Sequence, residues 1–307
     1  RAGIRVETRT MAQWEKGLGN AYYFLGDLAA SRTHLEQAVS GLDRTVPQSA
    51  GGVTLALLAN ALRQLAHANA RSWFAGRRAE VRDALDAAVD CYKTLGQIYY
   101  LTGAPTANLT YLTLRGLNVG ELAGPSEALA CVMSNMGVMT ALVGFRDAAR
   151  RYSERAIRMA EQEGQYASAA YVWHIFAIQR AQEGDFDGAR DASDRALELI
   201  DELGDNNLQA EASIVRSTVN LCEGNFGAAP DAWRRARAAA MRTGNPQILC
   251  WTFLDEVDTA LGAGNVQDAA RALRQALAIE TDPADGSSTI DKLRAVAMTR
   301  LHEGRYK

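Results

Sequence analysis

The sequence is poor in the residues that break helices or cross-link chains. Six prolines occur in 307 residues, which favours long helices over strands and irregular chain. Four cysteines lie far apart, form no CxxC pair and have no histidine at metal-ligand spacing; they are Cys91, Cys131, Cys222 and Cys250. We expect four small, buried thiols in a reducing cytoplasm, and neither a disulfide framework nor a metal centre.

The sequence also lacks the signatures of several functional classes. No apolar run reaches the roughly 18–20 residues that span a bilayer. The net charge of −3 offers no bulk attraction for nucleic acid or an anionic membrane. The phosphate-binding motif GxxxxGK[ST], the zinc motif HExxH and the nucleophile motif GxSxG are absent. We therefore predict a protein that is not an enzyme, with no catalytic residue, cofactor or metal and no nucleic-acid or membrane partner.

A glycine returns every forty residues along the second half of the chain, at Gly144, Gly184, Gly224, Gly264 and Gly304. Alanine stands five residues and again twelve residues after each of the first four of these glycines. Glycine suits a turn between antiparallel helices because it adopts a positive φ without a Cβ clash. Small residues at fixed positions indicate helices that approach closely. The sequence therefore predicts an array of helical repeats.

Residues 14–27 read WEKGLGNAYYFLGD and residues 95–103 read LGQIYYLTG, so each combines an LG..Y core with a turn glycine. Both stretches resemble the tetratricopeptide (TPR) consensus. The resemblance implies an all-α fold, an α-α superhelix in the form of a TPR-like solenoid of antiparallel helix pairs. The repeat is forty residues rather than the usual number of about 34. We expect about 14 helices in all.

We expect a single superhelical domain over residues 1–307, divided into four parts. These are the first helix pair at 1–44, a loop plus an extra helix at 45–76, regular repeats at 77–282 and a terminal capping helix at 283–307. The helices otherwise alternate between the first and the second member of a pair. The extra helix, over about 53–74, belongs to no pair, because 77–101 must be the first helix of the next pair. A terminal repeat needs a polar outer face, which we expect from Asp291, Lys292, Arg294 and Arg300.

In TPR arrays the first helices of successive pairs line a concave groove, so the resemblance implies a binding surface at fixed positions before each turn glycine. The groove or partner-binding residues selected in this way are Lys16, Asn20, Tyr23, Lys93, Gln97, Tyr100, Ser134, Tyr171, His174 and Trp251. Lys16 and Asn20 match half of the carboxylate clamp of chaperone-binding TPR domains. Thr94, Cys131 and Asn135 replace the rest of the clamp. We therefore do not expect a C-terminal acidic peptide as the ligand.

Four further phrases resemble one bacterial group: HLEQA at 34–38, TVP at 45–47, IYYLTG at 98–103 and AGPS at 123–126. They are similar to the C-terminal TPR regions of large ATPases fused to adenylate or guanylate cyclase domains, related in layout to STAND regulators of the LuxR/MalT kind. This resemblance implies a non-catalytic regulatory sensor region of a larger cytoplasmic signalling protein. It would bind a protein, a peptide or a small-molecule effector in its groove. The alternative is a small-molecule or peptide receptor with an enclosed pocket around Tyr23, Tyr100 and Tyr111.

Overall fold

The computed structural model describes residues 8–42, 45–69, 81–162 and 166–304. Within these ranges the chain forms fourteen α-helices and no β-strand. The helices are α1 (Thr8–Leu25), α2 (Leu28–Gly41), α3 (Ala50–Asn69), α4 (Arg82–Leu101), α5 (Thr106–Ala123), α6 (Glu127–Leu142), α7 (Arg146–Gln162), α8 (Tyr166–Gln182), α9 (Phe186–Leu203), α10 (Asn206–Cys222), α11 (Ala229–Thr243), α12 (Pro246–Gly262), α13 (Val266–Ala278) and α14 (Gly286–His302). The prediction of an all-α, TPR-like solenoid is confirmed.

The predicted extra helix is present as α3, which begins at Ala50, three residues earlier than expected. Its predicted end near residue 74 and the turn at 75–76 lie outside the described residues. Helix α4 occupies most of the predicted helix over 77–101 and begins at Arg82. Residues 77–80 also lie outside the described part of the chain.

The recurring glycines make the turns for which the sequence selected them. Their φ angles are +85° at Gly144, +78° at Gly184, +74° at Gly224, +76° at Gly264 and +69° at Gly304. At two of these turns the residue after the glycine also caps the next helix. The Asp185 side chain accepts the backbone N–H of Gly188, and Asn265 accepts that of Asp268. These two turns therefore close one helix with a left-handed glycine and open the next with a side-chain cap. Phe145 follows Gly144, and the helix after Gly224 begins without a side-chain cap.

The recurring alanines lie where the two helices of a pair meet. All eight have no accessible surface: Ala149, Ala156, Ala189, Ala196, Ala229, Ala236, Ala269 and Ala276. Helix α6 packs on α7, α10 on α11 and α12 on α13, as the predicted pairing requires. A methyl group at these positions lets the two backbones approach closely. A larger side chain would overpack the interface, typically at a cost of about 1–3 kcal/mol.

The helices belong to two compact units, which we describe separately. The first unit contains α1, up to Tyr23, and the helices from α2 to α7. The second unit contains the chain from Ala169 in α8 to the end of α14. In the first unit α4 contacts α6, and in the second α10 contacts α12 and α12 contacts α14. First helices of successive pairs are therefore neighbours within a unit, as in a TPR array. A single continuous domain over residues 1–307 stays a prediction.

Helix α3 buries a polar face against α5. The Asn118 Nδ2 donates to the backbone oxygen of Asn60 at 2.9 Å and to its Oδ1 at 3.2 Å. The His67 Nδ1 lies 2.8 Å from Glu121 Oε2, and both side chains are buried. The opposite face of α3 is apolar and exposed: Leu55 is 71% exposed, Leu58 59%, Leu62 69% and Leu65 61%. Hydrogen bonds, not apolar burial, therefore orient this helix.

Candidate functional site

Two first helices of the first unit, α1 and α4, carry most of the predicted groove residues side by side. Lys16 on α1 contacts Asp90 on α4, and Asn20 faces Thr94 one turn further along. Both pairs are 74 positions apart, so the two helices run parallel with their turns aligned. We call the surface formed by Lys16, Asn20, Lys93, Gln97 and Tyr100 the first-helix face.

Two lysine side chains of the first-helix face lie beside one carboxylate. The Lys16 Nζ lies 3.0 Å from Asp90 Oδ2, and the Lys93 Nζ lies 4.0 Å from Asp90 Oδ1. One carboxylate therefore serves two ammonium groups. Such partly exposed pairs contribute only about 0–1 kcal/mol each to stability. Their main effect is to hold the two lysine side chains beside each other.

The same face also offers primary amides. The Asn20 Oδ1 accepts a hydrogen bond from Thr94 Oγ1 at 3.4 Å, which orients the amide. Gln97 lies half-buried one turn after Lys93 on α4. An amide side chain both donates and accepts hydrogen bonds, so it can pair with the N–H and C=O groups of a peptide backbone. Lysine and amide groups together suit a neutral or acidic segment.

The tyrosines of α1 and α4 differ in exposure. Tyr23 is half-buried, whereas Tyr100 is 68% exposed. Its neighbour Tyr99 is buried and donates from its hydroxyl to Glu36 Oε1 at 3.0 Å, and burial raises the Tyr99 pKa to about 12. Tyr111, the third residue of the alternative enclosed pocket, is buried. An enclosed pocket would shield all its lining residues, so the exposure of Tyr100 does not fit that alternative.

Three of the selected groove residues are buried. Ser134 is buried, and its hydroxyl donates to the Cys131 carbonyl oxygen at 2.7 Å. Tyr171 and His174 in the second unit are also buried. Burial lowers the pKa of His174 to about 4, so the ring is neutral at neutral pH. We leave these three residues out of the candidate site because a partner on an open face would not reach them.

Trp251 lies in the second unit and serves its core. The side chain is half-buried on α12 and packs against two apolar clusters, which include Cys250, Ile248 and Ala276. Because Trp251 belongs to the second unit, it is not part of the site described here.

Two features of the first unit were missed by the sequence reasoning. Asp90 was not selected, although it stands three residues before Lys93, a spacing that places an acid and a base on one helix face. The buried polar contacts of α3 were also missed. Their signal was present, since Asn60, Gln64 and His67 recur at four- and three-residue steps in a helix otherwise rich in leucine and alanine.

Within the described residues, no group of three or more His, Cys, Asp or Glu side chains is placed to hold a metal ion. No helix in the described ranges is long and apolar enough to cross a membrane. Burial raises the thiol pKa of Cys91 to about 12 and those of Cys131 and Cys250 to about 11. The expectation of four buried thiols is wrong for Cys222, which is exposed at the end of α10.

No protein-family profile matches the sequence, and no curated protein matches it. Solved structures do resemble it. A Rap protein complexed with Competence and Sporulation Factor is 12% identical, with a TM-score of 0.50 over 96% of this chain and 99% of that one. A tetratricopeptide repeat protein from Parabacteroides merdae is 12% identical, with a TM-score of 0.46 over 94% and 99%. Yeast Tom70 is 14% identical, with a TM-score of 0.38 over 93% and 64%. At this identity the likeness concerns the fold alone.

Proposed function

We propose that this chain is a non-catalytic binding protein whose first-helix face holds an extended segment of a protein or peptide. The observation that carries the proposal is the alignment of α1 and α4, which places Lys16 and Asn20 beside Asp90 and Thr94. Two parallel helices thus present one continuous row of polar groups. A row of this kind suits a chain that lies across both helices.

The chemistry of the row defines the segment that it would bind. The amides of Asn20 and Gln97 pair with backbone groups, which every peptide offers. The ammonium groups of Lys16 and Lys93 would repel a basic segment and attract an acidic one, so the face suits an acidic or neutral segment. The exposed ring of Tyr100 adds apolar and aromatic contact at one end of the face.

The comparison with the Rap protein supports a binding role without identifying the ligand. That protein has the same fold over nearly its whole length and was solved with Competence and Sporulation Factor bound. Repeats of this kind contact only their neighbours, so a ligand that spans several first helices can change the angles between them. Ligand binding would thereby change the angles between successive repeats.

We further propose that the chain is the regulatory region of a larger, cytoplasmic bacterial signalling protein. The phrases at 34–38, 45–47, 98–103 and 123–126 support this reading through their similarity to the TPR regions of cyclase-linked ATPases. The test is to determine the parent reading frame and to delete residues 1–307 from the parent protein. We expect an upstream nucleotide-binding or cyclase module whose activity the deletion changes. A parent protein whose activity is indifferent to the deletion would contradict the proposal.

The binding proposal is tested with a displayed library of random peptides selected against the purified chain. We expect enriched peptides that are neutral or acidic, and whose affinity falls about tenfold or more in the double variant Asn20→Ala, Gln97→Ala, since each lost hydrogen bond contributes about 0.5–1.5 kcal/mol. The matched control is Glu154→Ala with Arg158→Ala, which removes an exposed ion pair from α7. Peptides that bind both double variants equally well would refute the assignment of the face.

A further inference from the structure

Helix α14 begins and ends as the first helix of a pair. Its N-terminus is capped by Asp285, whose Oδ1 accepts the Ser288 backbone N–H at 3.0 Å. The turn after it is at Gly304, where φ is +69° and the N–H donates to the Leu301 carbonyl oxygen at 3.1 Å. The turn at Gly264 has the same form, with φ of +76° and a bond to the Leu261 carbonyl oxygen at 3.0 Å. Helix α14 also packs on α12 and α13, as a next first helix should.

One face of α14 is exposed where the matching face of α12 is buried. Ile290 is 64% exposed and Leu301 46%, whereas Cys250 and Leu261, forty residues earlier, are 0% and 7% exposed. Leu293 is 66% exposed, and Ala297 is exposed while its counterpart in α12, a valine, is fully buried. We call the surface formed by Ile290, Leu293, Ala297 and Leu301 the α14 face.

The structure shows what covers this face on α12. Cys250, Val257 and Leu261 belong to one apolar cluster with Ala269 and Ala276 of α13. The Cys250 Sγ lies 3.8 Å from the Ala276 carbonyl oxygen, so position 250 touches the second helix of its own pair directly. The α14 face thus repeats half of an interface that is complete one repeat earlier.

We infer that the α14 face binds a partner helix of the α13 type, an amphipathic helix with alanines seven residues apart on its apolar side. This assignment rests on the likeness of α14 to α12. Positions forty residues apart are apolar in both helices, and on α12 they form the interface with α13. The alanines admit close approach, as Ala269 and Ala276 do against α12. The inference does not rest on the proposed function, which concerns the first unit.

A terminal capping helix with a polar outer face was the expectation for this segment. The outer positions Ile290, Leu293 and Leu301 are apolar and exposed. Of the polar residues expected there, Arg294 makes two bonds to Asp258 of α12 at 2.8 and 2.9 Å. Lys292 donates to the Ile279 carbonyl oxygen at 2.8 Å, and Arg300 is exposed. A terminal repeat in solvent needs a polar outer face, which the three apolar positions do not provide.

The test uses the chain itself and a synthetic peptide of the α13 sequence, Val266–Ala278, held helical by a staple on its polar side. The staple is needed because an isolated helix of this length is marginal in water. We expect saturable binding by fluorescence anisotropy. The double variant Leu293→Glu, Leu301→Glu should bind at least tenfold more weakly, with circular dichroism confirming that it is folded. A second variant, Ile290→Ala, should weaken binding severalfold without adding charge.

Two controls define specificity. Leu142→Glu places the same charge on an exposed leucine of α6 and should leave affinity within twofold of the original. A peptide with glutamate at the positions of Ala269 and Ala276 should not bind. Absence of binding, or binding that ignores the α14 face variants, would overturn the inference. So would light scattering that shows a dimer dissociated by Leu293→Glu, because a second copy would then occupy the face.

Discussion

Replacing Gly144 and Gly17 by alanine should change stability in opposite directions. Gly144 has φ of +85°, a conformation in which an L-residue is less stable by about 1–2 kcal/mol. A Cβ there meets no atom within 4 Å, so the cost is conformational and not steric. Gly17 lies inside α1, outside the positive-φ region, and a Cβ there also meets nothing within 4 Å. Alanine at Gly17 should stabilise by about 0.5–1 kcal/mol, the helix-propensity difference.

The two variants belong to the same unit, which makes them a matched pair. Urea unfolding followed by circular dichroism should show Gly144→Ala less stable by about 1 kcal/mol. The loss is smaller than the full conformational cost, because alanine also lowers the entropy of the unfolded chain. Gly17→Ala should be more stable, so the difference between the two is about 2 kcal/mol. Gly144→Asn should recover part of the loss, since asparagine tolerates the left-handed region. Equal shifts of the same sign would refute the explanation of the forty-residue glycine by backbone conformation.

Three further outcomes are expected. Glu121→Leu leaves His67 and Arg155 without their carboxylate and should lower the free energy of unfolding by about 3–5 kcal/mol, with faster amide exchange in α3. In the native protein Cys222 should react quickly with a thiol reagent and the three buried thiols slowly; rapid modification of all four would contradict the burial described here. Burial raises the pKa of Asp255 to about 7, above an unfolded value of about 3.9, so its stability contribution is complete below pH 4 and is lost as pH rises through 7. Asp255→Asn should flatten the fall of stability between about pH 4 and pH 7, and an unchanged pH profile would contradict this cause.

The repeat architecture could be read from sequence because its signals are local. A glycine with positive φ, the capping residue that follows it and an alanine at a helix crossing are each required by the geometry of a single turn or contact. Gly224 and Ala236 illustrate this: one is the turn and the other is fully buried, as their spacing implies. Such requirements are set by a few residues at fixed spacing, so the helix pairs and their turns could be predicted from the sequence.

The candidate site was predicted only in part, because exposure depends on which neighbours cover a residue. Lys16, Asn20, Lys93, Gln97 and Tyr100 were placed together on α1 and α4 from their distance to the turn glycine alone. The same rule selected residues on α6 and α8 that are buried. Counting back from a glycine gives the direction of a side chain along its helix. It does not reveal whether another helix lies in front of it.

The orientation of α3 could not be predicted from hydrophobic periodicity at all. Its leucines form the more obvious stripe, and the usual rule would turn that stripe inward. The structure turns it outward, because Asn60 and His67 find hydrogen-bond partners in Asn118 and Glu121. Buried polar partners on a different helix, more than fifty residues away, decide the rotation of α3.

The recurrence of a left-handed glycine at forty-residue intervals also bears on how this gene can change length. Removal of residues 185–224 would join Gly184 to Asn225, a glycine followed by asparagine as at Gly264 and Asn265. Every remaining first helix would still meet alanines at the same two places of a second helix. Recombination between repeats can therefore add or remove whole helix pairs without creating a new kind of contact. An insertion or deletion of any other length would move the alanines out of phase, so selection would favour changes in steps of forty residues.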